Sequence, residues 1–138
     1  MEAFAEALEK SSNPVCYNGD IFTPEDYKRF TQMQPAVECI MMGRGVLADP
    51  ALARRIRGGA GADAAELRRF HDLLYAGYCE EMSGDRTILF KMKELWTYLA
   101  PVFSNYKKYA KKIKKAEKCA AYEKIIDELF DKEEISVS

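Results

Sequence analysis

The stretch that decides the fold runs from residue 13 to residue 45 and reads NPVCYNGDIFTPEDYKRFTQMQPAVECIMMGRG. It contains two short apolar runs, at residues 15–17 and 37–42, which predict two buried strands. Between them Thr23 and Pro24 predict the start of a helix, and Pro35 predicts its end. Strand, helix and strand form a βαβ unit, in which the two strands are parallel. Because two parallel strands are not stable alone in water, this segment is predicted to be the end of a larger α/β structure.

A glycine-containing turn follows each predicted strand, N-G-D at residues 18–20 and G-R-G at residues 43–45. Backbone N–H groups beside a glycine are open to an anion, and Arg44 adds a guanidinium that pairs well with phosphate. In a (β/α)₈ barrel the loops after the last two strands commonly bind a phosphate. Glycines also form tight turns in proteins that bind nothing there, so the residues alone leave both interpretations open.

Beyond a glycine-rich linker at residues 58–61, apolar residues recur at helical spacing as far as residue 130. Asp63 and Asp85 are predicted helix N-caps, and Gly84 and Pro101 are predicted breaks. The pattern predicts four amphipathic helices, the third over residues 105–118, with Trp96 in their core. The predicted fold is therefore mostly helical: an incomplete α/β domain over residues 1–60, then a four-helix bundle over residues 61–138.

The net charge of −1 conceals a strongly basic segment. Residues 86–118 carry ten basic and two acidic side chains, a balance of +8. A helical wheel of residues 105–118 places seven lysines on one broad face, which would attract nucleic-acid phosphates and release their counterions. Lysine-rich faces are also common on solvated helices, and acids at residues 123–134 balance this one. The candidate RNA-binding residues are Arg86, Lys91, Lys93, Lys107, Lys108, Lys111, Lys112, Lys114, Lys115 and Lys118.

Several classes of protein are excluded by what the sequence lacks. There is no run of 18 apolar residues for a membrane span and no secretion signal at the N-terminus. Four distant cysteines without a C-x-x-C pair argue against a zinc ribbon or a disulfide scaffold, and they are predicted to be buried in a cytoplasmic protein. The single histidine, His71, is predicted to be structural and partly exposed rather than a metal ligand. No residues predict a particular oligomeric state.

Two segments of the sequence resemble the tRNA-dihydrouridine synthases. Residues 13–26 and 40–50 are similar to the last two βα units of that family, in which N-G-D-I follows strand seven and M-I-G-R-G follows strand eight. Met42 stands where the family usually has isoleucine. Residues 91–99, KMKELWTYL, resemble the basic and aromatic helix of the family's C-terminal helical domain. The resemblance extends over residues 13–130.

The resemblance implies an FMN-containing (β/α)₈ barrel joined to a helical tRNA-binding domain. In that family NADPH reduces the flavin, which gives hydride to C6 of a uracil while a cysteine protonates C5. By this resemblance, the FMN phosphate would be bound by the backbone of Gly19, Asp20, Gly43 and Arg44. The side chain of Arg44 would add positive charge, and Asn18 would hold the first turn. The family's catalytic cysteine loop, N-x-G-C-P, is absent from this sequence, so we predict no catalytic residue and no activity of this chain alone.

Two other functions fit the same residues. Another FMN-dependent barrel oxidoreductase would share the phosphate motifs and use the helices for oligomerisation, although a metabolic barrel has little need of the +8 segment. A free-standing helical RNA-binding module with a vestigial α/β arm would bind tRNA in a salt-sensitive manner and would have no affinity for flavin.

Overall fold

The computed structural model describes residues 2–136, which are mostly helical. The first part contains α1 (Glu2–Lys10), β1 (Cys16–Asn18), α2 (Pro24–Met33), β2 (Cys39–Met41), α3 (Gly43–Ala48) and α4 (Leu52–Ile56). The second part contains α5 (Ala64–Glu81), α6 (Asp85–Leu99), a 3₁₀ turn (Ala100–Val102), α7 (Tyr106–Lys115) and α8 (Cys119–Lys132). The predicted domain ends at residues 1 and 138 lie outside the described residues.

The predicted strand–helix–strand order is confirmed. Strands β1 and β2 are parallel, with Cys16 opposite Cys39. Helix α2 begins where the sequence predicts because Thr23 and Asp26 close a capping box. The Thr23 hydroxyl accepts a hydrogen bond from the Asp26 N–H at 3.0 Å, and the Asp26 carboxylate accepts one from the Thr23 N–H at 3.1 Å.

The two strands are not buried, contrary to the prediction. Tyr17 of β1 stacks on Phe30 of α2, with 3.9 Å between the ring centroids, so one face of the sheet is covered. The other face of the sheet is open, and its exposed residues include Cys16 and Cys39. Cys79 on α5 is also exposed. The prediction of buried cysteines is therefore wrong for these three residues, because nothing in the described chain covers them.

The hydrophobic core lies among helices α5 to α8. Met92 and Leu99 of α6 are fully buried at its centre, together with Tyr122 of α8. Helix α6 ends at Leu99 because Pro101, two residues on, has no N–H to donate. Leu47 of α3 packs against the same core, so the first part of the chain contacts the second.

His71 belongs to this core, where it is only 2% exposed, so the prediction of partial exposure is wrong. The Tyr122 hydroxyl oxygen accepts a hydrogen bond from Trp96 Nε1 at 2.7 Å and lies 2.7 Å from His71 Nε2. At its other ring nitrogen His71 faces the Asp72 carboxylate, which can only accept, so in the neutral ring the Tyr122 hydroxyl donates its proton to Nε2. The histidine proton then lies on Nδ1, 2.8 Å from the Asp72 carboxylate.

The glycine-rich segment at residues 58–61 is tied to its neighbours rather than free. Arg54 donates hydrogen bonds to the carbonyls of Ala60 and Gly61 at 2.8 and 2.9 Å. The same guanidinium makes two parallel hydrogen bonds to the Glu66 carboxylate at 2.7 and 2.8 Å. Arg54 and the Asp63 N–H together lower the pKa of Glu66 to about 2.

Helix α7 ends earlier than predicted, at Lys115. Lys118 has an extended backbone and precedes α8, so it does not belong to the predicted lysine face. Asp85 is the first residue of α6 rather than its N-cap. Its carboxylate instead accepts a hydrogen bond from the N–H of Cys119 at 3.1 Å, which caps α8.

The C-terminal segment after α8 pairs with the chain before α7. Phe103 and Ile135 form an antiparallel bridge. The Ser104 N–H donates to the Glu134 carbonyl at 2.8 Å, and the Ser136 N–H donates to the Val102 carbonyl at 2.7 Å. This pairing fixes the start of α7 against the end of α8.

Candidate phosphate loops and basic surface

The two glycine-containing segments lie side by side, each following a strand of the parallel pair. The Arg44 guanidinium forms an ion pair with the Asp20 carboxylate, which links the second segment to the first. The two side chains are 59% and 65% exposed, so the pair adds little stability. The structure thus brings together the residues that the sequence predicts for a phosphate site, with the arginine held by a carboxylate.

Gly45 is required by packing. A Cβ atom added to Gly45 would lie 2.0 Å from the carbonyl oxygen of Ile21 and 2.9 Å from a methyl carbon of Leu52. No side chain fits at that distance, so only glycine lets α3 lie against the turn after β1. Gly19 is required less strictly, since a Cβ atom there would lie 2.0 Å from the Tyr17 hydroxyl oxygen, which is the end of a side chain and not backbone.

Gly43 differs from Gly45 because it faces open space. Among the described residues, no atom that would oppose a side chain lies within 4 Å of a Cβ atom added to Gly43. Gly43 begins helix α3, where the sequence predicted a turn, and the first N–H groups of a helix have no acceptor within it. Backbone donors and an open approach fit the phosphate end of a flavin nucleotide.

A second candidate site is the outer face of α7, which we call the basic surface. Five exposed lysines form it: Lys107, Lys108, Lys111, Lys114 and Lys115. The opposite side of α7 carries Tyr109 and Ile113, which are buried in the core. The predicted separation of lysines from apolar residues is therefore present over the length of this helix.

Two of the predicted RNA-binding lysines make contacts within the protein instead of extending into solvent. Lys112 Nζ lies 2.7 Å from the Glu128 carboxylate and lowers the pKa of that group. Lys93 Nζ donates to the carbonyl of Ala116 at 2.7 Å, at the C-terminal end of α7. Both contacts hold α7 against its neighbours.

The remaining basic residues lie around α6. Arg86, Lys93 and Lys118 line a cleft of about 660 Å³ between α6 and the connection from α7 to α8. One acid, Glu117, lies in the same lining. Lys91 is half-buried, and its ammonium lies 6.0 Å from the centre of the Phe90 ring. Of the ten predicted residues, six thus lie on α7 and three line this cleft, which Phe90 also lines, whereas Lys91 lies outside both.

Phe90 is not among the residues predicted from the sequence, although it is the most exposed of the large apolar residues described. The signal was present in the helical wheel of α6. Its buried residues include Leu89 and Met92, whereas Phe90 shares a face with Arg86 and Lys93, four residues before it and three after.

Neither a metal site nor a membrane span is found in the described chain. Within residues 2–136, no three His, Cys, Asp or Glu side chains are grouped closely enough to hold a metal ion. Over the same residues, every helix is too short or too polar to cross a bilayer.

Comparison with known proteins shows similarity to a protein family and to a curated relative. A family model described as "Dihydrouridine synthase (Dus)" matches residues 2–136. The tRNA-dihydrouridine(16) synthase of Cupriavidus necator is 31% identical to this chain over 100 residues. That alignment covers 63% of this chain and 30% of the relative, so the chain spans about a third of the length of that protein.

Proposed function

The chain belongs to the dihydrouridine synthase family, and we propose that it is the C-terminal portion of an enzyme that reduces uridine to 5,6-dihydrouridine in tRNA. The observation that carries the proposal is the basic surface on α7, in a chain whose whole described length matches the family. The name of the Cupriavidus necator relative supports tRNA as the substrate. A cytoplasmic location is part of the proposal.

The first part of the chain supplies the last two βα units of a barrel. Within residues 2–136 the sheet has only two strands, and one of its faces is exposed. Two parallel strands are not stable alone and are normally covered on both faces, so further strands and helices of the whole protein are expected to extend and cover the sheet. We therefore propose two domains: residues 1–60, which belong to the barrel, and residues 61–138, which form the helical tRNA-binding domain.

The segments after β1 and β2 hold the phosphate of FMN in this proposal. The N–H groups of Gly19, Asp20, Gly43 and Arg44 bind the phosphate, and Arg44 exchanges the Asp20 carboxylate for it. Asn18 ends β1 and orients the first of these segments. FMN, when bound, supplies the reducing chemistry, with NADPH as the reductant. This chain supplies no catalytic residue, so it is inactive without the rest of the barrel.

The basic surface binds the backbone of tRNA. Five exposed lysines on one helix attract phosphates without reading bases, which suits recognition of a folded RNA by shape. Because binding releases condensed counterions, the affinity for tRNA should fall about 100-fold or more between 50 and 200 mM salt.

A charge-reversal experiment tests this function. Replacing Lys107, Lys111 and Lys114 with glutamate should abolish tRNA binding at 100 mM salt, as measured by filter binding or anisotropy. The matched control reverses three exposed lysines elsewhere, K10E, K28E and K124E, and should keep most of the affinity. If both triple variants lose affinity equally, net charge rather than the basic surface governs binding and the proposal fails.

A further inference from the structure

Phe90 keeps most of its ring in solvent although it belongs to a helix that buries its other large apolar residues. It is 68% exposed, whereas Leu89 and Met92 beside it are buried. Within residues 2–136 no other aromatic ring packs against it, and the contact described for the ring is the Lys91 ammonium. An aromatic ring gains much from burial, so an open ring face in this position is available to a partner.

The ring lies between two clefts. One is the cleft of about 660 Å³ already described, and the other, of about 640 Å³, lies between α6 and α7 and includes Tyr106 and Lys114. Phe90 and Lys93 line both clefts. Because Lys93 Nζ is held by the Ala116 carbonyl, the boundary between the clefts has a fixed cation beside an exposed ring.

Charge around the ring favours an anionic partner. Arg86 and Lys118 line the first cleft and Lys114 the second, and each cleft has a single acid in its lining, Glu117 or Glu94. Cations beside an open aromatic face are the combination that binds unpaired nucleotides, in which the base stacks and the phosphate pairs. A duplex offers no open base face to such a ring.

We propose that Phe90 stacks on the base of an unpaired nucleotide in bound RNA, with the adjoining phosphate on Arg86 and Lys118. This inference rests on the proposed function, since it assumes that the chain binds tRNA. It adds the kind of RNA element that is recognised, a single-stranded loop or end, and the side chain that recognises it. The basic surface on α7 then binds the neighbouring backbone phosphates of the same RNA.

The test compares two substitutions of Phe90 with a control. F90A should weaken tRNA binding by about 5- to 100-fold without changing the slope of affinity against salt, because no phosphate contact is lost. F90W should keep the affinity, and stacking should quench its fluorescence, while buried Trp96 gives a constant background. L73A removes a side chain that is 65% exposed on α5 and should leave the affinity unchanged.

The outcomes separate this inference from the proposed function. F90A could bind tRNA as tightly as the unchanged chain while K107E, K111E and K114E together abolish binding. In that case the stacking proposal is wrong, and the proposal that the basic surface binds tRNA still stands. A duplex RNA of equal length that competes as well as tRNA would also overturn stacking. If F90A alters only the sedimentation of the free chain, the ring is a contact between copies of the protein instead. Failure of the unchanged chain to bind tRNA at all defeats both ideas.

Discussion

Gly45 shows how one residue without a side chain determines where a helix lies. The carbonyl of Ile21 occupies the place that a Cβ atom would take, and the Leu52 side chain closes the remaining space. The glycine therefore joins the turn after β1 to helix α3. By contrast, Gly43 is two residues away and has open space around it.

The two glycines give a matched pair of substitutions. G45A should lower the free energy of unfolding by about 1–3 kcal/mol, because the added methyl group overlaps backbone that cannot move freely. G43A should be neutral or slightly stabilising, since alanine is the better helix former. Urea denaturation followed by circular dichroism measures the free energy of unfolding of both variants. Equal values for G45A and G43A would show that Gly45 does not pack closely against the Ile21 carbonyl.

His71 makes the stability of the core depend on pH. Burial lowers the pKa of His71 below its ordinary value of 6.5, and the carboxylate of Asp72 opposes that shift. Asp127 also raises the pKa and Arg68 lowers it. The unfolded chain therefore takes up the proton first as the pH falls, and the stability present above pH 6.5 is progressively lost below it.

This dependence can be measured directly because the chain has a single histidine. The free energy of unfolding should decrease between pH 7 and pH 5, and H71Q should remove most of that decrease. Carboxylates with lowered pKa values, such as Glu66 and Glu128, lose their contributions only at lower pH. A decrease of the same size in H71Q would assign the effect to other groups.

At the scale of elements, one aspartate connects two helices. Asp85 begins α6, yet its carboxylate caps α8 through the N–H of Cys119, 34 residues later. Sequence spacing predicts a cap only within a helix's own first turn. The partner of Asp85 therefore depends on how α6 and α8 pack, which local sequence does not contain.

Loss of this cap should be visible as loss of stability. D85A should destabilise the chain by about 1 kcal/mol, because the first N–H of α8 then has no side-chain acceptor. D131A, at an exposed position near the end of α8, is the control and should have a small effect. Thermal unfolding of both variants decides the matter, and an unchanged melting temperature in D85A would contradict the cap.

The positions of helices and strands near the candidate phosphate segments can be predicted from local sequence signals, whereas the burial of individual side chains cannot. Thr23, Pro24 and Pro35 mark α2 correctly because capping and proline geometry act within a few residues. The exposure of Phe90 and the burial of His71 depend on which neighbouring helix covers each face. Lys112 was predicted to lie on the solvent-facing side of α7, but its ammonium donates a hydrogen bond to Glu128, 16 residues later, on the adjacent helix.

At the scale of the whole molecule, the core belongs to the second part of the chain. Helices α5 to α8 contain nearly all of the large buried side chains, and the pairing of residues 102–104 with 134–136 closes that part on itself. The first part has only a few buried residues, such as Phe30 and Leu52, and an open sheet. The two parts should therefore differ in their ability to fold alone.

Separate expression of residues 62–138 tests this division. The fragment should unfold cooperatively with a circular dichroism spectrum typical of helices, whereas residues 1–57 should be unstable or self-associate through exposed strand edges. Analytical ultracentrifugation provides the second measurement. A helical fragment that is unfolded, or a monomeric and well-folded residue 1–57 peptide, would show that the domain boundary is misplaced.

The hydrogen bonds that Arg54 makes to residues 60 and 61 and to Glu66 have a consequence for the distance between the two candidate sites. Together with the packing of Leu47 against the helical core, these hydrogen bonds limit how far α7 can move relative to the segments after β1 and β2. Helix α7 is therefore kept at a set distance from those segments. The distance between the two candidate surfaces therefore depends in part on Arg54, a side chain that lies in neither of them.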